Sequence, residues 1–338
     1  MADLADYLEI LASRGLKEED VVPLVGDASE ELEEKILPAL RQAYANAIAG
    51  DSRISDPEAF LQRRMDFAKR AFYQNANELL RRKLKRLLRD LDEVGIRAPS
   101  DLVAGVHPFE SFNAFCCPAR DSGYVILLYN RFLKTVEAAA SMFLAPIEEQ
   151  SKRRLLREIV TCPSDLDPME FVRGIHGGTN RSLWILVEIA DAAQDFVLLH
   201  EIAHAVYGHP GHAVPDRTVD DVEAAPIQNE NSHTQELLAD AWAVEALPRL
   251  AGLDRETHAT FSRAWKREAA YSSADVLRSG AAFVLGIELV REAARPAGRS
   301  TTTHPTAAAR LRELPSDLLS LSPGRDFLNL AVAARELL

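Results

Sequence analysis

Apolar residues recur every three or four positions through much of the first 95 residues, as in ILPALRQAYANAIA and FAKRAFYQNANELLRRKLKRLLRDLDEVGI. That spacing predicts helices. The second stretch carries six basic residues between positions 81 and 89, set among Leu79, Leu80, Leu84, Leu87, Leu88 and Leu91. It reads as an amphipathic helix whose charged face meets water. A binding face for a protein partner or nucleic acid is the alternative. Gly95 and the IRAPSD segment predict a helix stop and a linker. Beyond it the pattern changes: SFNAFCCPARDSGYVILLYN sets two short apolar or aromatic runs on either side of the turn signal PARDSG. A β-hairpin is expected there. Helical spacing returns over about 132–160. RSLWILVEIA is then a strand or the start of a buried helix, and periodicity does not separate the two. The remainder reads as helical except for the polar run PGHAVPDRTVDDVEAAPIQNENSH between 210 and 233, long enough to form a lid or a binding loop.

The sharpest chemical signal is the stretch LLHEIAHAVYGH. On a helix, residues four apart share a face, with Cβ atoms ~5–6 Å apart. His200 and His204 can therefore reach one metal ion at the ~2.0–2.1 Å that Zn–N bonds require. Glu201 falls beside that metal, where a base is needed to take a proton from a zinc-bound water. The flanking positions Val197, Leu198, Ile202, Ala203, Ala205 and Val206 are apolar, so three polar groups in this helix demand a partner. The plainer reading is a core helix with two hydrogen-bonded histidines and a salt-bridged glutamate. Catalytic zinc usually keeps three protein ligands. His209, His212 and His233 lie past the helix end or in the polar run, whereas TQELLADAWAVEAL reads as a helix with Thr234 as its N-cap. Glu236 and Asp240 share a face of it. Glu236 is the better candidate ligand, and Asp240 is placed to accept the free ring N–H of a ligand histidine. An exposed acidic face is the plain alternative for that pair.

HEIAHAVYGH followed by ELLAD resembles the gluzincin zinc metallopeptidases, and among them the M48 (Ste24/HtpX-like) family. The resemblance implies Zn²⁺ held by His200, His204 and Glu236, with Asp240 behind them and Glu201 as general base. It also matches His209, five residues after His204, to a further histidine often found in that family. FNAFCCP is similar to the family's NAFA-like segment, which implies that Asn113, Ala114 and Phe115 lie in the strand bordering the substrate cleft. TTTHPTAAARLREL is similar to its HP motif and following Arg, which implies that His304 and Arg310 approach the active site and assist at the developing oxyanion. The motifs span roughly residues 110–314. The implied fold is α+β and predominantly helical. A helical N-terminal region (1–95) precedes a zincin-like metallopeptidase domain (100–338) with a small β-sheet and an insertion at 135–195. The implied activity is that of a zinc-dependent endopeptidase acting on a protein or peptide. A catalytically silent zinc-binding module and a metal-free helical scaffold are the alternatives, and the N-terminal helices could recruit a protein partner in any of the three.

Composition narrows the setting. A chain of 338 residues, 47% of them hydrophobic, can bury a sizeable core. The net charge of −12 argues against a general nucleic-acid binder, which needs a basic surface. MADLADYLEILASRG lacks the basic start and apolar run of a signal peptide. The apolar runs YVILLY, SLWILV and AAFVLGI are far shorter than the ~20 residues a membrane helix needs, so a soluble family member is expected. Cys116, Cys117 and Cys162 form neither a disulfide framework nor a metal spacing, which fits a reducing cytoplasm. The adjacent pair is expected to pack as two small hydrophobes.

Overall fold

The leucine spacing near residue 80 becomes helix α1 (Ala76–Glu93), which buries Leu80, Leu84, Leu87 and Leu91 in one stripe. It opens the main part of the chain that the computed structural model describes: residues 76–107, 112–119, 123–162, 168–172, 181–209, 229–253, 273–294, 305–319 and 323–336. Positions 41, 45, 56–58, 61 and 62 are described ahead of it. Most of the helical expectation for 1–95, His212 and most of the polar run after residue 209 lie outside the described residues.

The hairpin forms where the turn signal placed it. Strand β2 (Ala114–Pro118) pairs antiparallel with β3 (Tyr124–Tyr129), Cys116 opposite Ile126. A strand the pattern did not announce, β1 (Leu102–His107), lies parallel to β3 with Ala104 opposite the same Ile126. The order β1-β3-β2 makes β3 central, and its run Val125–Leu128 is wholly buried, as a strand covered on both faces must be. β2 is left at an edge. Helices α2 (Asn130–Leu144) and α3 (Glu149–Val160) follow, split at Ala145, whose extended backbone is what the next residue, Pro146, requires.

RSLWILVEIA proves to be the first half of α4 (Arg181–Val206), one helix of 26 residues. It is apolar on nearly every side because it is surrounded. α2, α5 (Asn229–Ala251), α6 (Ser273–Arg278) and α7 (Gly280–Ala294) pack around it, and β2 lies against it. α7 crosses α4 so closely that a Cβ on Gly280 would lie 2.2 Å from the Ala192 carbonyl oxygen, a backbone atom that cannot swing aside. Gly280→Ala is therefore expected to cost about 1–3 kcal/mol, read as a lower urea midpoint at unchanged slope. Helices α8 (Ala307–Glu313), α9 (Ser316–Leu319) and α10 (Gly324–Arg335) complete the fold, with Phe327 of α10 packed on Phe283 of α7, their ring centroids 4.4 Å apart. One hydrophobic core runs from Leu80 to Ala334. Among the described residues the architecture is mostly helical with a three-stranded sheet, α+β.

Two of the basic residues of α1 pair with acids of α4, Lys83 nearly buried and Arg86 partly exposed. Lys83 Nζ lies 2.6 Å from Asp191 Oδ1 and 3.2 Å from Asp195 Oδ1 on α4, and Arg86 Nη2 reaches both Asp195 oxygens at 2.9 and 3.0 Å. Burial pushes both carboxyl groups up. Lys83 and Arg86 overcome that at Asp191, holding it at about 2, but Asp195 stays above the ordinary range. The solvated-face reading fails for these two cations because their partners lie more than a hundred residues away in sequence. Among the described residues, no helix is long and apolar enough to cross a membrane.

Candidate metal centre

The C-terminal half of α4 faces the middle of α5, and the two bring together three buried polar side chains, His200 (6% exposed), Glu236 (3%) and Asp240 (2%), with Glu201 (5%) also buried on α4. The helix expected to open at Thr234 begins at Asn229 instead, so Thr234 is an exposed residue inside it and not its cap. The register of Glu236 and Asp240 is unaffected, since helical spacing does not depend on where the helix starts.

Nitrogen and oxygen atoms of His200, His204 and Glu236 converge within 4.8 Å of one another. The His200 and His204 Nε2 atoms lie 3.2 Å apart, with Glu236 Oε2 3.3 Å from the first and Oε1 3.5 Å from the second. Ligands at ~2.0–2.1 Å around a tetrahedral zinc lie roughly 3.3–3.4 Å from one another. The donor set fits such an ion in type and in spacing. The far side of each ring is engaged: His200 Nδ1 lies 2.9 Å from Asp240 Oδ1, and His204 Nδ1 lies 2.9 Å from His209 Nδ1. A carboxylate only accepts, so His200 donates from Nδ1, and its Nε2 is left as a lone pair pointing at Glu236 and His204. Without a metal that nitrogen takes a proton. Burial opposes the charge, but hydrogen bonds to Asp240 and Glu236 outweigh it and hold His200 up at about 10. His209 moves the other way, pushed below its ordinary value by burial and by His204.

Arg310 was expected at the oxyanion. Instead it grips Asp240 with two parallel bonds, Nε to Oδ2 and Nη2 to Oδ1, both 2.6 Å. Burial would raise the Asp240 carboxyl, but Arg310 and His200 hold it at about 2. Burial likewise opposes the Arg310 charge, and Asp240 more than restores it. A chain Arg310–Asp240–His200 results, with Arg310 behind His200. α8 carries Arg310 and is itself pinned: Thr306 caps it by accepting from the Ala309 N–H at 3.2 Å, and the Ala307 N–H donates to Glu292 of α7 at 2.8 Å. His304 lies outside the described residues.

On the other side of the site Glu201 approaches β2. Burial first and the Glu201 charge second hold the Cys116 thiol well above its ordinary range. The expected strand residues shift by a little. Asn113 precedes β2 and accepts the Tyr129 N–H on its backbone oxygen (3.0 Å) and the Ala114 N–H on its side chain (2.9 Å). Phe115 packs against Tyr129. Since Asn113 bonds to Tyr129 at one end of the ladder and Ala119 to Gly123, just before β3, at the other, the alternation of antiparallel pairs turns the backbone of Cys116 to the outer edge. The sequence pattern pointed to this strand but not to that residue, because which groups face outward depends on register.

Residues 161–327, just under half of the chain, match the family described as Peptidase U49. The matched span contains His200, Glu201, His204, Glu236, Asp240 and Arg310 but not the sheet. The match points to proteolytic function, and so to a protein or peptide substrate. The matched family is not the M48 family that the motifs resemble. No curated protein matches the chain, and no solved structure does.

Proposed function

We propose that the chain is a zinc-dependent endopeptidase of the HExxH, gluzincin type, with a zincin-like catalytic domain. One observation carries the reading: two histidine Nε2 atoms on α4 and the carboxylate of Glu236 on α5 face one another at 3.2–3.5 Å, the spacing of a tetrahedral ligand set. His200, His204 and Glu236 would hold the ion, and zinc bound there would supply Lewis acidity to the scissile carbonyl and to the attacking water.

The remaining work belongs to the side chains. Glu201 takes the proton of the attacking water on its carboxylate and delivers it to the leaving amine. Its burial beside β2 supports this role, since a base must stand between the metal and the substrate. Asp240 fixes the His200 tautomer by accepting its Nδ1–H, and Arg310 fixes Asp240. The substrate lies extended along the outer edge of β2, adding a strand and pairing with the backbone of Cys116. We assign the cytoplasm as its compartment, a reading supported by three buried free thiols.

Metal content tests the premise. Protein purified without added metal is expected to carry about one zinc per chain by mass spectrometry, and His204→Ala is expected to lose it. A wild-type chain that neither carries zinc nor binds it on addition would sink the reading and leave a metal-free scaffold.

A further inference from the structure

We propose that His209 is a positioning residue for the metal site: its Nδ1 accepts the Nδ1–H of His204 and so keeps the His204 Nε2 lone pair turned toward Glu236. The inference rests on the zinc reading above and extends it to a residue beyond the helix.

The argument begins with how α4 ends. Gly208 has φ +60°, its N–H donates to the Ala205 carbonyl at 3.3 Å, and the His209 N–H donates to the His204 carbonyl at 3.0 Å. These two bonds and the left-handed glycine define a Schellman turn, which folds the residue after the glycine back onto the helix residue five before it. An apolar contact normally accompanies the motif. α1 ends in the same way and obeys that rule: Gly95 has φ +72°, the Gly95 N–H donates to Asp92 at 2.9 Å and the Ile96 N–H to Leu91 at 2.8 Å, a pair of aliphatic residues. At the end of α4 the equivalent pair is His209 and His204, and one member is a metal-facing histidine.

The contact is a hydrogen bond. The two Nδ1 atoms lie 2.9 Å apart, which one shared proton can bridge and which two N–H groups or two lone pairs cannot. Which ring owns that proton follows from the other end of His204. Its Nε2 lies 3.2 Å from His200 Nε2 and 3.5 Å from Glu236 Oε1. A proton on that nitrogen would occupy the place of the ion, so with metal bound the proton sits on Nδ1 and His209 accepts it. The tautomer of a histidine ligand is set by the bond its other nitrogen makes. Asp240 does this for His200, and His209 does it for His204. The His209 ring also stacks on Tyr207, at 5.4 Å and 26°. The acceptor thus touches both a ligand and an aromatic ring, and its position is set by the backbone turn.

The test uses the full chain, wild type beside His209→Leu and His209→Asn. Zinc dissociation constants are read by competition with a chromophoric chelator, and thermal unfolding is followed on the metal-free proteins. Leucine keeps the apolar contact that the turn ordinarily carries but offers no acceptor. His209→Leu is expected to bind zinc about 10–100-fold more weakly with an unchanged metal-free melting temperature. The amide oxygen of asparagine stands near the place of Nδ1, so His209→Asn is expected to recover most of the affinity. Equal affinity in wild type and His209→Leu overturns the proposal, as does a loss that asparagine does not relieve. Either result leaves the zinc reading standing if the wild type binds zinc. A wild type that binds none overturns both.

Discussion

Glu201→Gln is expected to lower kcat for peptide hydrolysis by about 10²–10⁴-fold while the zinc stays bound. Glutamine matches glutamate in shape, and its amide can occupy the same buried place on α4 without disturbing the apolar neighbours that surround it. What it cannot do is take a proton. KM should change little, because the carboxylate is asked to act in the transition state and not in substrate binding. Cleavage of fluorescein-labelled casein by wild type and variant, at matched zinc content, reads the effect. A variant that turns over at the wild-type rate removes Glu201 from the chemistry. A variant that loses its zinc makes Glu201 part of the metal's support instead. A wild type that binds zinc and cleaves nothing, across casein and short unstructured peptides, favours a silent zinc-binding module.

Removing the carboxylate of Asp240 is expected to have the largest effect on stability. Asp240→Ala leaves the guanidinium of Arg310 buried without its bidentate partner and frees the Nδ1–H of His200 in the same step. Breaking a buried ion pair by deleting one member costs about 3–5 kcal/mol, and loss of a histidine ligand's hydrogen-bond partner weakens metal binding about 10–100-fold. Arg310→Met should also destabilise, but it leaves Asp240 bonded to His200 and so should spare much of the zinc affinity. The double variant should be destabilised by less than the sum of the two single changes, since the second substitution removes a charge that the first left stranded. Urea unfolding of the metal-free proteins measures the first quantity and chelator competition the second. Additive stability changes would show that the pair at 2.6 Å carries no coupling and that Arg310 acts elsewhere.

The two halves of the site were legible to different degrees. HEIAH puts His200 and His204 on one face of α4, and EXXXD spacing puts Glu236 and Asp240 on one face of α5, because the rise and turn of a helix are local properties. The hairpin of β2 and β3 was legible for the same reason, with its turn signal lying between two short runs. β1 was not. Its partner β3 is parallel and lies twenty-two residues further on, Leu102 opposite Tyr124, so no turn advertises the pairing. The long apolar run of α4 left helix and strand undecided because a helix packed on all sides has no polar face to reveal its period.

What the sequence by itself determined, then, is which element carries each group of the site: His200, Glu201 and His204 on α4, Glu236 and Asp240 on α5, and Arg310 on α8. Only the tertiary structure decided how they meet. Arg310 is seventy residues from Asp240, and Lys83 is more than a hundred from Asp191, so neither contact could be read from spacing. Even the contact of His209 with His204, only five residues away, is not legible from spacing, because it depends on a left-handed turn at Gly208 that reverses the chain. Local periodicity fixes which side chains share a face. Which faces come together is settled by packing apolar surface into one core, and that is a property of the whole chain.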